Sequence, residues 1–401
     1  MAVRGARNAV ATVFLLSGLI LASWLSRLPH VRDHLELTAG ELGRLVLIGA
    51  VGAVGSLPLA GLIVNRFGPR WTVAGAVLLT SFGGGLFAVA EPLRSPVLVA
   101  AGLFAMGYGM GTWDVAMNVE GAEVERRRGR ALMPRLHAGF SLGTVLGAGL
   151  GAAAAAVELP VSVHIGLAAA VTAAAGVAAT WFFLPGQPVP AVAERPKTGL
   201  RLAWREPRTL LLGVMVLAFA LAEGIANDWL AIGLVDGLRV SNATGALGFA
   251  VFVAAMTGFR VVGTVVLDRF GRVRALRASG LLIAAGVLLV VFGGSLPVAF
   301  AGAVVWGAGA ALGFPVGMSA AADDPARAPA RVSVVSSIGY TAFLAGPTLL
   351  GWLGDQVGVH RALLVVLGAA AVAVAAASGA RPVPAEPRVP AGNRVDVTAP
   401  V

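Results

Sequence analysis

Apolar residues run along this chain in blocks too long for ordinary soluble helices. A helix that crosses a bilayer needs about 20 mostly apolar residues. Twelve stretches reach that length: 7–28, 41–64, 71–91, 96–119, 134–156, 161–184, 208–232, 244–266, 276–293, 297–321, 333–353 and 360–380. The pattern predicts an all-α membrane protein with twelve transmembrane helices. Helix-start chemistry supports several boundaries. Thr38-Ala-Gly-Glu41 has the spacing of a capping box, in which the hydroxyl and the carboxylate satisfy backbone N–H groups at a helix start. Ser95-Pro96 sets a capping hydroxyl ahead of a first-turn proline.

The polar interruptions divide the chain. Residues 185–207, rich in proline and charge, read as a linker between a six-helix unit at 1–184 and a second at 208–380. The proline-rich tail, 381–401, is expected to be disordered. The two units repeat one another. Arg66-Phe67-Gly68 follows the second helix, and Arg269-Phe270-Gly271 follows the eighth, 203 residues on. Met106-Gly107-Tyr108-Gly109 is echoed 200 residues on by Trp306-Gly307-Ala308-Gly309, and Phe140-x-x-Gly143 203 residues on by Phe343-x-x-Gly346. Two pseudo-symmetric six-helix bundles with a site between them near mid-membrane are a common plan for secondary transporters.

Composition agrees. The chain is 57% hydrophobic and 12% charged, against about 25% charged residues in soluble domains. The absence of cysteine excludes disulfides, thiolate catalysis and Cys-based metal sites. The net charge of +10 would suggest nucleic acid in a soluble protein. Here no soluble basic region with interleaved aromatics exists to bind it, and the charge reads as topology. With the N-terminus inside, 23 of the 30 Lys and Arg fall on inner segments and 6 on outer ones, Arg260 lying within a helix. That bias predicts a multi-pass plasma (inner) membrane protein with both termini cytoplasmic. Arg4, Arg7 and the apolar run Ala9 to Ala22 imitate a signal peptide. The same pattern recurs throughout, so an uncleaved first helix is expected.

The basic turns after the second and eighth helices resemble the loop signature of the major facilitator superfamily, Gly-x-Leu-x-Asp-Arg-x-Gly-Arg-Arg. The first copy has Asn65 where the acid is usual and Pro69 where a basic residue is usual; the second keeps Asp268, with its glycine one position early at Gly263. The resemblance covers the chain to about residue 380 and implies the major facilitator fold. It also implies an inner-gate role for Asn65, Arg66, Arg70, Asp268, Arg269 and Arg272, through charge pairs that the asparagine would weaken in the first half. Trp24-Leu-Ser-Arg27-Leu-Pro29, Asp114-x-x-x-Asn118, His137-x-x-x-Ser141-x-Gly143 and Glu223-Gly-x-x-x-Asp228-Trp229 are similar to the branch of fucose-permease-like and rhizopine-transport-like (MosC-type) membrane proteins. In fucose permeases an acid four residues before an asparagine on the fourth helix carries the coupling proton. Asp114 matches that position, which implies proton coupling.

The buried polar residues set out the candidate chemistry. Asp114 and Asn118, at i and i+4, share a helix face. A charge in a spanning helix is expensive and marks a functional hypothesis. Desolvation penalises the charged form, so an acid there suits proton uptake and release as its cavity changes sides. The other reading is a structural acid paired with an arginine. Asn118 binds substrate hydroxyls, steadies the carboxyl or packs as a helix amide. His137 and Ser141 are i and i+4 on the fifth helix; His137 relays protons, binds substrate or is an interfacial group. At the repeat positions of Asp114 and Asn118 stand Phe314 and Met318, and at those of His137 and Ser141 stand Tyr340 and Leu344. The polar constellation therefore belongs mostly to the first half.

Glu223 and Asn227 pair the same way on the seventh helix, with Glu223 a second coupling candidate and Asp228 expected at the outer surface. Arg27 either snorkels to the interface or meets a cavity acid. Arg260 is expected to reach the interface or pair with Asp268. Trp24, Tyr108, Trp113, Trp229, Trp306 and Tyr340 offer stacking surfaces for a sugar-like ring or serve as interface anchors. Gly313-Phe-Pro315-x-Gly317 and Gly346-Pro347 read as kinks, and Gly143-x-x-x-Gly147-x-Gly149-x-Gly151 as a close helix contact.

No nucleophile cluster or Walker motif appears, so neither an enzyme nor an ATP-driven pump is expected. His30-x-x-x-His34 has metal-ligand spacing but no evident further ligand, and no metal or other cofactor is expected, a proton gradient supplying the energy. The expectation is a monomeric, proton-coupled secondary transporter of a small polar, sugar-like solute, with a small-molecule substrate and the bilayer as partners. The alternative is an exporter of a drug or secondary metabolite on the same fold. A non-transporting receptor is less favoured because no output domain is evident.

Overall fold

A computed structural model describes residues 2–129, 132–184, 201–324 and 327–382. Most of the expected linker and all but the first residues of the expected tail lie outside them. Among the described residues the chain is helical throughout, with no strand. The first half comprises α1 (Ala2–Leu25), α2 (Leu28–His34), α3 (Ala39–Ala90), α4 (Pro96–Arg128), α5 (Met133–Ala156) and α6 (Val161–Thr180). The second comprises α7 (Pro207–Leu238), α8 (Asn242–Phe270), α9 (Arg272–Phe292), α10 (Leu296–Ala310), α11 (Gly313–Ala321), α12 (Ala328–Val357), α13 (Val359–Ala362) and α14 (Val365–Ala376).

Among the described residues eleven continuous segments are long and apolar enough to cross a membrane, and one of them, the 52-residue α3, holds two of the twelve expected spans. The expected second and third spans run together in α3, and Gly68, at φ 77° and ψ 162°, breaks the helix between them. Gly271 holds the same conformation, φ 75° and ψ 161°, between α8 and α9. Only glycine enters that region freely, which explains the repeated Arg-Phe-Gly. Other left-handed residues keep the same register: Glu36 matches Arg239, 203 residues on, and Arg94 matches Gly294, 200 on. The capping box closes as predicted, with Glu41 N donating to Thr38 Oγ1 (3.2 Å) and Thr38 N to Glu41 Oε2 (3.0 Å). Its counterpart 203 residues on is Ser241, whose hydroxyl accepts from Thr244 N. Ser95 occupies the cap position before Pro96 but makes no side-chain cap bond.

Packing repeats too. α1 lies on α5 as α7 lies on α12, and α3 lies on α4 as α9 lies on α10. The halves meet where α5 packs on α8 and α12 on α3. The glycine stripe of α5 works at three of its four positions. A Cβ on Gly143 would strike the Leu15 carbonyl, on Gly147 the Leu19 carbonyl, and on Gly151 the Ser26 hydroxyl, whereas Gly149 faces open space. Large apolar side chains such as Leu62, Phe82, Val97, Leu281 and Phe292 lie exposed around the outside. In water that would be a liability; in lipid it is the favourable arrangement, since the backbone is satisfied inside each helix. Of the expected kinks, the first is a true break between α10 and α11. At the second, α12 continues through Pro347.

Candidate functional site

A cavity of about 350 Å³ lies between the halves. Its wall is built from helix stripes. On α4 the lining residues are Leu103, Met106, Gly107, Met110, Gly111 and Asp114, the i, i+3, i+4 spacing of one helical face. Asp114 is roughly halfway along that helix, and its side chain is exposed to the cavity. The glycines bring α4 close to α3: a Cβ on Gly107 would strike the Gly49 carbonyl, and one on Gly111 the Ser56 hydroxyl. From the second half come Gly224, Asn227 and Asp228 on α7 and Tyr340, Phe343 and Pro347 on α12.

Asp114 is held locally and watched from across the cavity. Asn118 Nδ2 donates to the Asp114 carbonyl (2.8 Å) and to its carboxylate Oδ1 (3.2 Å). His137 lies within electrostatic reach of Asp114, as does Tyr340 of the other half. The His137 ring packs against Phe14 at 5.3 Å, with Nδ1 on the Met133 carbonyl at 3.0 Å. Asn118 and His137 therefore bear on Asp114 rather than line the cavity. Ser141 is buried, off the wall.

Several expected site residues sit elsewhere. Trp113, Trp229 and Trp306 are fully buried and off the cavity wall, Trp306 edge-on to Phe252 at 5.9 Å. Tyr108 does not line the cavity and packs at a tilt beside Phe104, ring centroids 6.3 Å apart. One residue's step rotates a side chain about 100° round a helix, which is why Trp113 faces inward while Asp114 faces the cavity. Trp24 does line it, edge-on to Phe87 at 4.9 Å. Arg27 neither snorkels nor reaches the cavity. It is 2% exposed and donates to the Leu159 carbonyl at 2.7 Å.

The α7 acids exchange places. Glu223 points away from the cavity and pairs with Arg260 Nη2 at 3.0 Å; Arg260 Nε also donates to the Ala311 carbonyl, freed by the α10–α11 break, at 3.3 Å. Arg260 thus pairs with neither the interface nor Asp268. Asp228, expected at the outer surface, lines the cavity and makes no hydrogen bond or ion pair with the described residues. Its signal was present: Gly224, Asn227 and Asp228 form an i, i+3, i+4 stripe, and Glu223 lies off its edge.

The ends of the cavity differ. At the end away from the termini, α2 crosses to the second half: Arg32 donates two bonds to the Asp236 carboxylate, at 2.6 and 2.7 Å. Gly40 N donates to Asp355 Oδ1 at 3.0 Å. At the end that carries the termini, no ion pair or hydrogen bond joins the halves among the described residues. The residues expected at an inner gate keep to their own half there. Arg70 lies over Trp181 at 4.8 Å, Arg269 over Phe270 at 5.6 Å, and Arg272 pairs with Asp323 at 2.6 Å. Asn65, Arg66 and Asp268 are exposed. Sequence reasoning missed the capping acids of this end. Glu125 accepts from Leu132 N and Met133 N at the start of α5, and buried Glu120 accepts from Leu184 N. Outside the spans, Glu206 accepts from Arg331 Nε at 2.6 Å, and that bond holds its carboxyl below the usual range.

Known proteins share this architecture. The chain is 34% identical over 369 residues to the uncharacterized transporter y4wD of Sinorhizobium fredii, spanning 92% of this chain and 96% of that protein. It is 31% identical over 379 residues to the membrane protein MosC of Rhizobium meliloti, spanning 92% and 89%. The crystal structure of the nucleoside transporter NupG superposes with a TM-score of 0.74 at 14% identity, covering 94% of this chain and 98% of NupG. Residues 9–235 and 209–401 match the family model of the Major Facilitator Superfamily. A duplicated helical fold, a cavity between its halves and these relatives lead to one conclusion: the chain belongs to the Major Facilitator Superfamily, a family of multi-pass membrane transporters rather than enzymes.

Proposed function

We propose that this chain is a proton-coupled secondary transporter that moves a small polar, sugar-like solute by alternating access. The observation that carries the reading is the placement of Asp114, a carboxylate on the cavity wall tethered by Asn118 and facing Tyr340 of the opposite half. In such a site the proton and the solute compete for, or share, one acid, so protonation alters the contacts that distinguish the two open states. Trp24 and Tyr340 supply stacking faces, and Asn227 supplies hydrogen bonds. No basic side chain lines the cavity among the described residues, and two carboxylates do, which favours a neutral or cationic solute over an anion. Glu223 serves as the partner of Arg260, and Asp228 takes the place expected for it at the cavity.

The 23-to-6 bias of Lys and Arg supports both termini in the cytoplasm. The Arg32–Asp236 bridge then closes the outer end, and the described state faces inward. The mostly apolar wall, with Leu21, Val46, Leu57 and Met106, favours a second reading, an exporter of an amphipathic metabolite. Proteoliposome flux under an imposed pH gradient tests the coupling. Asp114→Asn is expected to lose accumulation against a gradient while retaining downhill exchange. Accumulation equal to wild type would remove Asp114 from the coupling role.

A further inference from the structure

The short helix α2 carries chemistry that the cavity does not use. His30 and His34 stand at i and i+4 on it, their rings nearly parallel (13°) with centroids 5.9 Å apart. Both Nε2 atoms face one carboxylate oxygen of Glu91, the residue that ends α3, at 3.9 and 3.8 Å. The three donor atoms lie within 4.8 Å of one another. The Glu91 side chain is only 5% exposed and makes no hydrogen bond with the described residues, and among these His34 Nε2 is buried without a hydrogen-bond partner. A buried carboxylate and an unpaired imidazole nitrogen are each costly alone. That they face a common point is best explained by something shared between them.

We propose that His30, His34 and Glu91 form a binding site for a zinc-class divalent metal ion at the end of the molecule away from the termini. Two imidazole nitrogens and one carboxylate oxygen are a donor set that Zn²⁺ takes, leaving a fourth position for water. Imidazole donors favour such borderline metals over Mg²⁺ or Ca²⁺. Metal–donor bonds of about 2.0–2.2 Å require the donors to close in by a few tenths of an ångström. The histidines can do so, because their side chains are 40% and 32% exposed while the carboxylate stays fixed.

The neighbouring charges pull both ways. Arg27 faces Glu91 and opposes a cation, and Asp33 bears on His30 and favours one. The sequence hid this site because its third ligand lies 57 residues beyond His34 and is brought back by the whole length of α3. A bound metal ties α2 to α3. It thereby steadies the helix from which Arg32, between the two histidines, reaches Asp236.

Calorimetric titration of the purified full chain, carrying no polyhistidine tag, with ZnCl₂ tests the site. One equivalent is expected to bind the wild type, and H30A and H34A are each expected to weaken binding by at least about tenfold. Zinc should raise the unfolding midpoint of the wild type, since a ligand of the folded state stabilises it, and leave that of H30A unmoved. Matching midpoints of the three proteins without zinc establish that the variants fold. No binding to the wild type overturns the proposal, as does wild-type affinity in both variants.

Discussion

On the proposed alternating-access reading, breaking the Arg32–Asp236 bridge by Arg32→Ala should shift the balance between the two open states. The bridge spans the halves with two short bonds, 2.6 and 2.7 Å, between side chains 15% and 32% exposed. Exposed ion pairs contribute about 0.2–1 kcal/mol, and hydrogen bonds to charged groups about 1.5–3 kcal/mol. A half-buried, bidentate pair belongs near the boundary, at about 1–1.5 kcal/mol. That energy exists only while this end is closed, so its loss raises the relative population open at this end by about 5- to 13-fold. The chain has no cysteine, so spin labels can be placed without background. Glu158→Cys and Ser295→Cys put one label on each half at this end. Double electron–electron resonance should then show the longer distance gaining weight in Arg32→Ala. Asp236→Ala should do the same, and the double variant should add little more, since both remove one interaction. An unchanged distance distribution in Arg32→Ala would refute the assignment of this bridge as a latch between states.

Three further outcomes are expected. Gly147→Ala drives a methyl into the Leu19 carbonyl and should cost about 1–3 kcal/mol, whereas Gly149→Ala should change stability by less than about 0.5 kcal/mol; thermal unfolding in detergent separates the two. Arg260→Met strands Glu223 in a partly buried site and should cost up to about 3–5 kcal/mol, while the double variant with Glu223→Gln should recover much of the loss by the same measurement. Glu206→Gln should lower the unfolding midpoint at neutral pH. The bond from Arg331 holds the Glu206 carboxyl below its usual value, so its contribution is present above the unfolded-state value and disappears as pH falls through the folded-state one. The two midpoints should therefore converge in acid, and a gap constant with pH would contradict the pairing.

Features set by near neighbours were legible in the linear chain. The Thr38–Glu41 cap, the Asp114–Asn118 contact and the Gly68 and Gly271 breaks each depend on residues within about a turn, where helix geometry alone fixes who meets whom. The spans and the duplication were legible because apolar length and repeated motifs need no partner. The merging of two spans into α3 was not, since a Gly-Pro turn can either end a helix or only bend it.

The choice of face was decided by tertiary structure. A helix presents every residue to some direction, and sequence cannot say which direction is cavity, neighbour or lipid until the helices are packed. So Trp113 and Trp306 went to the interior, Glu223 to Arg260, and Asp228 to the cavity. The long-range pairs belong to the same class. Arg32 and Asp236 are 204 residues apart, and Glu91 reaches His30 only because α3 spans the molecule and returns. The sequence by itself determined a duplicated twelve-span membrane protein with an acid and an amide in register on one helix. Only the packing of its two halves decided which polar groups that acid shares a cavity with, because helix rotation and the meeting of distant ends are set by the sum of many weak contacts.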